Sequence, residues 1–545
     1  MKTRLMVALA VFACLGSFSA RLGAQYTNMR IFPSAVTQTE PVAAVSPVDP
    51  LLMFASAVTI NTSNAFKSEG VYVSTDGGLH WFGSDSCRGA LIVNHGGDPG
   101  IAITASSRFV LNHIGYIFPG VYSHYSTDLG TTWSNAYTLT SQQPEDKGTT
   151  TIDNMSGSLF QGRLYSAWVN LVVPYPVVVS YSTNEGVTWT PPTAVNPAPP
   201  ARCSGGSIRV GRDGRVYVCW AAMTAAPFIE DFAGFASSTD GGATWSFSQN
   251  IFDMNGINGT LAAKSNIRVN GLPQIAIDNS HGAHNGWLYI VTAQQNLPPA
   301  GGDPDIVLYR STNGGAAWSP GIRVNQDPLN NGKIQYFPAM EIDSSGGVNI
   351  IFCDDRNTSS DSAEVILARS GDAGITWTER VISDHRFKPK PIIGGSSTYQ
   401  GDHLELLAVG SKLFAFWMDD YAGLYQIWLA IVDLATDVSD DGAMGIPSNF
   451  TVHQNHPNPF NPTTTIEVNL PREMYVTLKV YNVLGQEVAT LADAKRVAAG
   501  RQEFRFHAHG LMSGVYFYRV TAEATTSNGS IGGAFTAVKK MLLLK

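Results

Sequence analysis

Asp98, Asp146, Arg202, Asp355, Arg356, Asp402 and Asp420 are the residues of this chain whose types suit chemistry on a polar ligand. Two carboxylates across a glycosidic bond can give and take its proton. A guanidinium can clasp a carboxylate or a pair of hydroxyls. Each of these residues stands at the end of a strand-like run. Glu40, Glu145, Lys147, Asp354, His403, Asp419 and the aromatics Tyr336 and Tyr399 stand at similar ends. Polar strand ends also occur without function, so position alone gives candidates rather than a site. The acidic run "DDRNTSSDSAE" (354–364) could hold calcium through Asp354, Asp355, Asn357, Asp361 and Glu364. It lacks the fixed acidic spacing and glycine of an EF-hand loop, and a solvated loop is the plainer reading.

The elements that must position these residues announce themselves by repetition. "STDGGLHW" at 74 returns as "STDLGTTW" at 126, "STNEGVTW" at 182, "STDGGATW" at 238, "STNGGAAW" at 311 and "SGDAGITW" at 370. Each copy has Ser first, Asp or Asn third, Gly fifth and Trp eighth. A repeat of this length marks a propeller or solenoid. Each box follows an apolar run, such as "PVVVSYS" or "AEVILARS". Before that run come two strands joined by a tight turn, clearest in "SIRVGRDGRVYVCW" with Asp213-Gly214 at its tip. The unit is a four-stranded antiparallel sheet, A to D, with the box between C and D. That is a propeller blade.

First strand pairs begin near Pro41, Pro99, Thr149, Gly205, Pro273, Pro338 and Asp402, which predicts seven blades. Six is the alternative if the irregular stretch around 250–270 is no blade of its own. "NMRIFPS" (28–34) resembles the D-type runs "IRVNQD" and "IRVNGL". The seventh unit has its C strand, "YQIWLAIVDL", but lacks D. The first strand should therefore close the ring, which also removes an open sheet edge. In the box, the Asp or Asn side chain should accept backbone N–H groups, and Gly should supply positive φ. The Trp ring should pack between neighbouring strands of its blade. The box is read as a staple. Ligands belong on the opposite face, where the D–A and B–C loops meet the central channel.

Composition agrees with an all-β chain. Charged residues are 14% against 53 Gly and 29 Pro, and the net charge is -8 without a long basic run, which excludes a nucleic-acid partner. The start, "MKTRLMVALAVFACLG", reads as an export signal with a cut after Ala24. No later stretch reads as a transmembrane helix. Cys87, Cys203, Cys219 and Cys353 lack metal-type spacing. A Cys203–Cys219 disulfide is open to an exported protein, but the hairpin register sets Cys219 opposite Ile208.

The six boxes resemble the Asp-box (BNR) repeat of sialidase-like propellers, over residues 28–436. The resemblance implies a propeller whose boxes lie away from the active face and, if the chain is an enzyme, a glycoside hydrolase. Sialidases use three arginines, an Asp acid/base, and a Tyr nucleophile assisted by Glu. Their first arginine lies in a Phe/Tyr-Arg-Ile-Pro motif. The nearest match here, "MRIFP" at Arg30, breaks it. The catalytic set is therefore not carried over, and Asp98 stands for the acid by position alone. The expected role is binding or hydrolysis of extracellular glycan. The alternative is a non-catalytic surface propeller that binds proteins.

A Gly/Ser/Asp-rich linker (437–450) precedes a second pattern. "NPFNPTTTI", "VYNVLGQEV", "SGVYFYRV" and the basic-apolar end "KKMLLLK" alternate with period two between turns. This reads as a small Ig-like β-sandwich. It resembles the C-terminal sorting domain of type IX secretion cargo, over residues 451–545. The resemblance implies contact with that secretion machinery and a place outside the cell or on the outer-membrane surface of a Gram-negative bacterium.

Overall fold

The computed structural model describes residues 26–437 and 451–545, less 62–65, 88–94, 116–117, 142–144, 394–395, 453, 456, 471–473, 499 and 526–530. The expected signal peptide and most of the expected linker lie outside the described residues. Chain contacts divide the protein into two units, 1–435 and 436–545.

The first unit is a ring of antiparallel sheets. Their innermost strands are Thr37–Val45, Gly97–Ile103, Glu145–Ile152, Arg202–Val210, Gln274–Ile277, Gln335–Ile342 and Glu405–Val409. Each packs on the next, and Glu405–Val409 returns to Thr37–Val45. Each sheet runs from its inner strand outward in chain order, except the last. There Asn28–Arg30 pairs antiparallel with Gln426–Asp433, with Met29 opposite Leu429, and supplies the outermost strand. Apolar alternation places the cores between sheets. Phe54, Val71 and Val73 of the first sheet meet Ile103, Phe109 and Leu111 of the second. Burying each such side chain contributes about 1.5–3 kcal/mol.

The boxes are built by local hydrogen bonds. In all six, the Ser Oγ accepts the N–H of the fifth-position Gly, at 2.7–2.9 Å. The Asp or Asn Oδ1 accepts the N–H of the residue before Trp, at 2.8–2.9 Å. Each fifth Gly has φ between 76° and 90°, which an L side chain resists. The Trp corrects the expectation. Its ring reaches the preceding sheet instead of lying between strands of its own. Trp133 packs on Phe54, Trp81 meets Phe416 edge-on, and the Trp189 Nε1 donates to Ser123 Oγ at 3.0 Å. A ring that large finds enough apolar surface only in the wedge between sheets.

Two more expectations shift. "IRVNGL" is not an outer strand. Ser246–Asp253 fills that place, and Ile267–Val269 pairs with Gly259–Leu261 in an inserted hairpin. The local pattern is equally strand-like in both segments, so pairing is decided by which one reaches the sheet. Cys219 faces Ser207, not Ile208, because the chain turns over Gly211–Arg215 with Gly214 at φ 77° rather than in a two-residue tip. Cys203 faces Ala222, and all four described cysteines are free and buried.

The second unit has two sheets over one core. Thr451–Val452, Thr463–Leu470 and Gly500–His507 form one. Glu487–Val497, Met474–Asn482, Gly514–Thr525 and Ile531–Leu543 form the other. Ile466, Val468, Leu478, Val480, Tyr518 and Val520 are fully buried between them.

Candidate functional site

The inner strands carry a recurring irregularity. Between Thr39 and Val42, Gly97 and Gly100, Asp146 and Thr149, Ser204 and Ser207, and Tyr336 and Ala339, two residues oppose one on the partner strand. Such bulges bend a strand and re-aim its side chains. The first bulged residue has positive φ at Glu40 (54°), Asp98 (52°), Gly205 (63°) and Phe337 (54°). The left-handed region costs an L-residue about 1–2 kcal/mol, so glycine is the easy choice. Phe337 has a packing reason to be there, being almost fully buried. Glu40 is nearly as buried, at 3% against 2% for Phe337, and accepts the Tyr399 hydroxyl, while Asp98 is half-buried. The same conformation in four sheets belongs to the bulge itself.

Both acids open onto one pocket at the channel mouth. Asp98, Asp146, Arg202 and Asp402 line it together with Glu40 and His403. Asp98, Asp402 and His403 also line the cavity that continues down the channel between the inner strands. The inserted hairpin and its flanks add Arg268, Asn258 and Asn270 to the wall, and Glu230 joins them.

The charges are arranged in pairs. The Arg268 Nε donates to Asp402 Oδ1 at 3.1 Å, and its Nη2 donates to Asp402 Oδ2. The guanidinium lies 5.2 Å over the Tyr399 ring, whose hydroxyl donates to Glu40 Oε1 at 2.9 Å. Burial pushes the Tyr399 phenol well above its usual range, and the charges of Glu40, Asp402 and Asp98 push the same way. Tyr399 therefore holds its proton and donates it in a hydrogen bond to Glu40. Glu230 is also raised by burial, although the N–H groups of Gly271 (2.8 Å) and Asn258 (3.1 Å) stabilise its anion. It fastens the insertion to the ring. Arg202 differs from Arg268. It lies 5.4 Å over the Phe228 ring, and its buried Nε has no hydrogen-bond partner among the described residues.

Asp355, Arg356 and Asp420 are not in this pocket, contrary to expectation. Asp355 and Lys264 form a fully buried ion pair at 2.7 Å, and Lys264 also donates to the carbonyls of Ser360 and Ser362. Arg356 is clasped by Glu379 and Asp354. Asp420 accepts Lys390 at 2.6 Å. Asp361 pairs with Lys388 and Glu364 with Arg386, so basic side chains already neutralise the carboxylates of the 354–364 loop. The calcium reading thus rests on carboxylates that already have cationic partners. Asp419 accepts His385 and Trp417, and Tyr336 is buried. The side chains of Glu145 and Lys147 lie outside the described residues.

Sequence reasoning missed Arg268, Glu230, Asn258 and Asn270. The signal for the insertion was the interval between the boxes at 238 and 311, the longest of the set.

No curated protein matches the chain in sequence. Among solved structures it is similar to an ulvan lyase (11% identity, 75% of this chain and 96% of that one, TM-score 0.46). It is also similar to the Hadza microbial sialidase Hz136 (13%, 72% and 75%, 0.40). A third is the intramolecular trans-sialidase from Ruminococcus gnavus (14%, 74% and 97%, 0.34). No helix among the described residues is long and apolar enough to cross a membrane. Residues 455–531 match the secretion system C-terminal sorting domain, and the chain is an exported protein, secreted or held at the outer-membrane surface.

Proposed function

We propose that this exported propeller binds an extracellular glycan in the pocket at the channel mouth. The observation that carries the reading is the meeting of Asp98, Asp146 and Arg202 in one concave site. Carboxylates accept from sugar hydroxyls, and the guanidinium donates to a hydroxyl or a sugar carboxylate. Hydrolysis at the same place would draw its proton donor and acceptor from Asp98, Asp146 and Glu40. Solvent-facing strand-end acids are common, but acids held at positive φ around a pocket are not.

The test is a glycan array with a panel of chromogenic glycosides, run on the parent chain, Asp98→Asn and Arg202→Ala. The parent should bind a restricted set of glycans, and each substitution should weaken that binding tenfold or more, on the order of 1.4 kcal/mol. If the parent binds none, or both variants bind as the parent does, the glycan site is refuted, and a protein partner becomes the reading to pursue.

A further inference from the structure

We infer that Glu69, His95 and His113 form a binding site for one divalent metal ion of the zinc class, with His124 as its outer support. Glu69 ends the strand Phe66–Glu69 of the first sheet, His113 stands on Phe109–Ile114 of the second and His95 just precedes Gly97–Ile103; none of the three lines the mouth pocket. One donor atom from each lies within 4.8 Å of the others. Their side chains are 0%, 7% and 1% exposed. A buried carboxylate beside two imidazoles is costly unless something positive sits among them.

The His124 Nδ1 lies 3.1 Å from the Ser134 carbonyl, which only accepts, so that nitrogen carries the His124 hydrogen. The His124 Nε2 is then an acceptor, 3.2 Å from the His113 Nε2. A hydrogen on the His113 Nε2 completes that contact and leaves the His113 Nδ1 lone pair for a cation. The other tautomer places the hydrogen on Nδ1, 2.9 Å from the Ile114 carbonyl.

A metal ion on the Glu69 side of His113 would take that lone pair. His113 Nδ1 is 3.9 Å from Glu69 Oε1, and His95 Nδ1 contacts Glu69 Oε2. Ligand atoms about 2.0–2.2 Å from a tetrahedral zinc stand roughly 3.3 Å apart, so the His113 pair would close a little and the His95 pair would open to admit the ion. With Nδ1 on the metal, His113 keeps its hydrogen on Nε2 and donates it to His124. His124 then donates from Nδ1 to Ser134. A ligating histidine braced through its second nitrogen is the usual outer arrangement of such sites. The donor set, two imidazoles and one carboxylate, suits zinc better than calcium, which takes oxygen ligands. Glu69 also accepts the N–H of Gly97 at 3.1 Å, next to Asp98, so the ion would anchor the strand that carries that acid.

The test uses the untagged full chain. Stripped with a chelator and titrated with zinc, it should take up one equivalent per chain and melt at a higher temperature than in chelator. Cobalt in place of zinc should give the intense visible absorption of a low-coordinate site with nitrogen ligands, a readout that needs no variant. His95→Ala, the least buried ligand, should abolish uptake. His124→Ala should keep the stoichiometry and weaken affinity about 10–100-fold. Zinc leaving the melt unchanged and no equivalent bound would overturn the site, and the His113 hydrogen would then sit on Nδ1 against the Ile114 carbonyl. Full uptake by His95→Ala would overturn it equally, by placing the ion elsewhere.

Discussion

The two faces of the ring are made in opposite ways. At each box, a Ser, an Asp or Asn and a Gly bond to one another within eight residues, and the same contacts recur at every copy. At the channel mouth the bulges recur but the side-chain contacts do not. Arg268 holds Asp402 across 134 residues of chain, and Glu40 receives the Tyr399 hydroxyl across 359. Positive φ does not separate the two faces: Leu129, Glu185 and Ala373 hold it in three boxes, as Glu40 and Asp98 do at the mouth. The range of the polar contacts does. Short-range contacts that recur in every copy are what a staple needs, and contacts made once, between distant parts of the chain, suit a site shaped for one ligand.

The largest test of that difference is at a box. Trp189→Ala removes a ring that is 5% exposed, and should cost about 3–5 kcal/mol of stability while the folded fraction binds ligand as before. Denaturant unfolding with a binding assay on the same sample checks it. A binding loss without a stability loss would put the boxes in the site.

Next comes the clamp that holds the insertion. Lys264→Met leaves Asp355 buried without its cation, for a cost of about 3 kcal/mol at the low end for broken buried pairs. Because Arg268 stands on the same hairpin, binding should weaken as well. Unchanged unfolding and unchanged binding would detach the insertion from the mouth.

The faces should also answer pH with opposite signs. Hydrogen bonds from Thr244 hold the Asp240 carboxyl of a box down at about 2. Its contribution is present above the unfolded value near 3.9 and lost as pH falls through about 2. Glu230 at the mouth is raised by burial. Its folded form keeps a proton that the unfolded chain releases, so its contribution is greatest below about 4.3 and falls as pH rises through the folded value. Melting curves of Asp240→Asn and Glu230→Gln against the parent, from pH 2 to 8, should show differences that grow in opposite directions. Parallel trends would break the contrast.

The smallest effect on stability is expected at Asp98. Asp98→Gly relieves the positive φ and should leave stability within about 1 kcal/mol of the parent, on either side, while ligand binding is lost. A large destabilisation would make Asp98 a structural residue like those of the boxes.

Much of the ring was legible. The box spacing marks the C–D turns, and the orphan run at 28–34 supplies the closing strand. The mouth was legible in part. Asp98, Asp146, Arg202 and Asp402 sit on or beside inner strands, so counting strands located them. Asp355, Arg356 and Asp420 have the same kind of address, but each is neutralised by a partner that no strand pattern points to. Arg268 was hidden because "IRVN" reads the same in an inserted hairpin as in a blade.

The sequence by itself determined the all-β ring, its boxes and the C-terminal sorting domain, since periodicity, turn chemistry and glycine placement act over a few residues. Only the tertiary structure decided which carboxylates line the mouth pocket and which are buried against a cation elsewhere. A carboxylate's role depends on the groups within a few ångströms of it and on how much water it keeps, because Coulomb attraction and desolvation act through space. Lys264 reaches Asp355 over 91 residues of chain, and nothing local to either residue marks the pair.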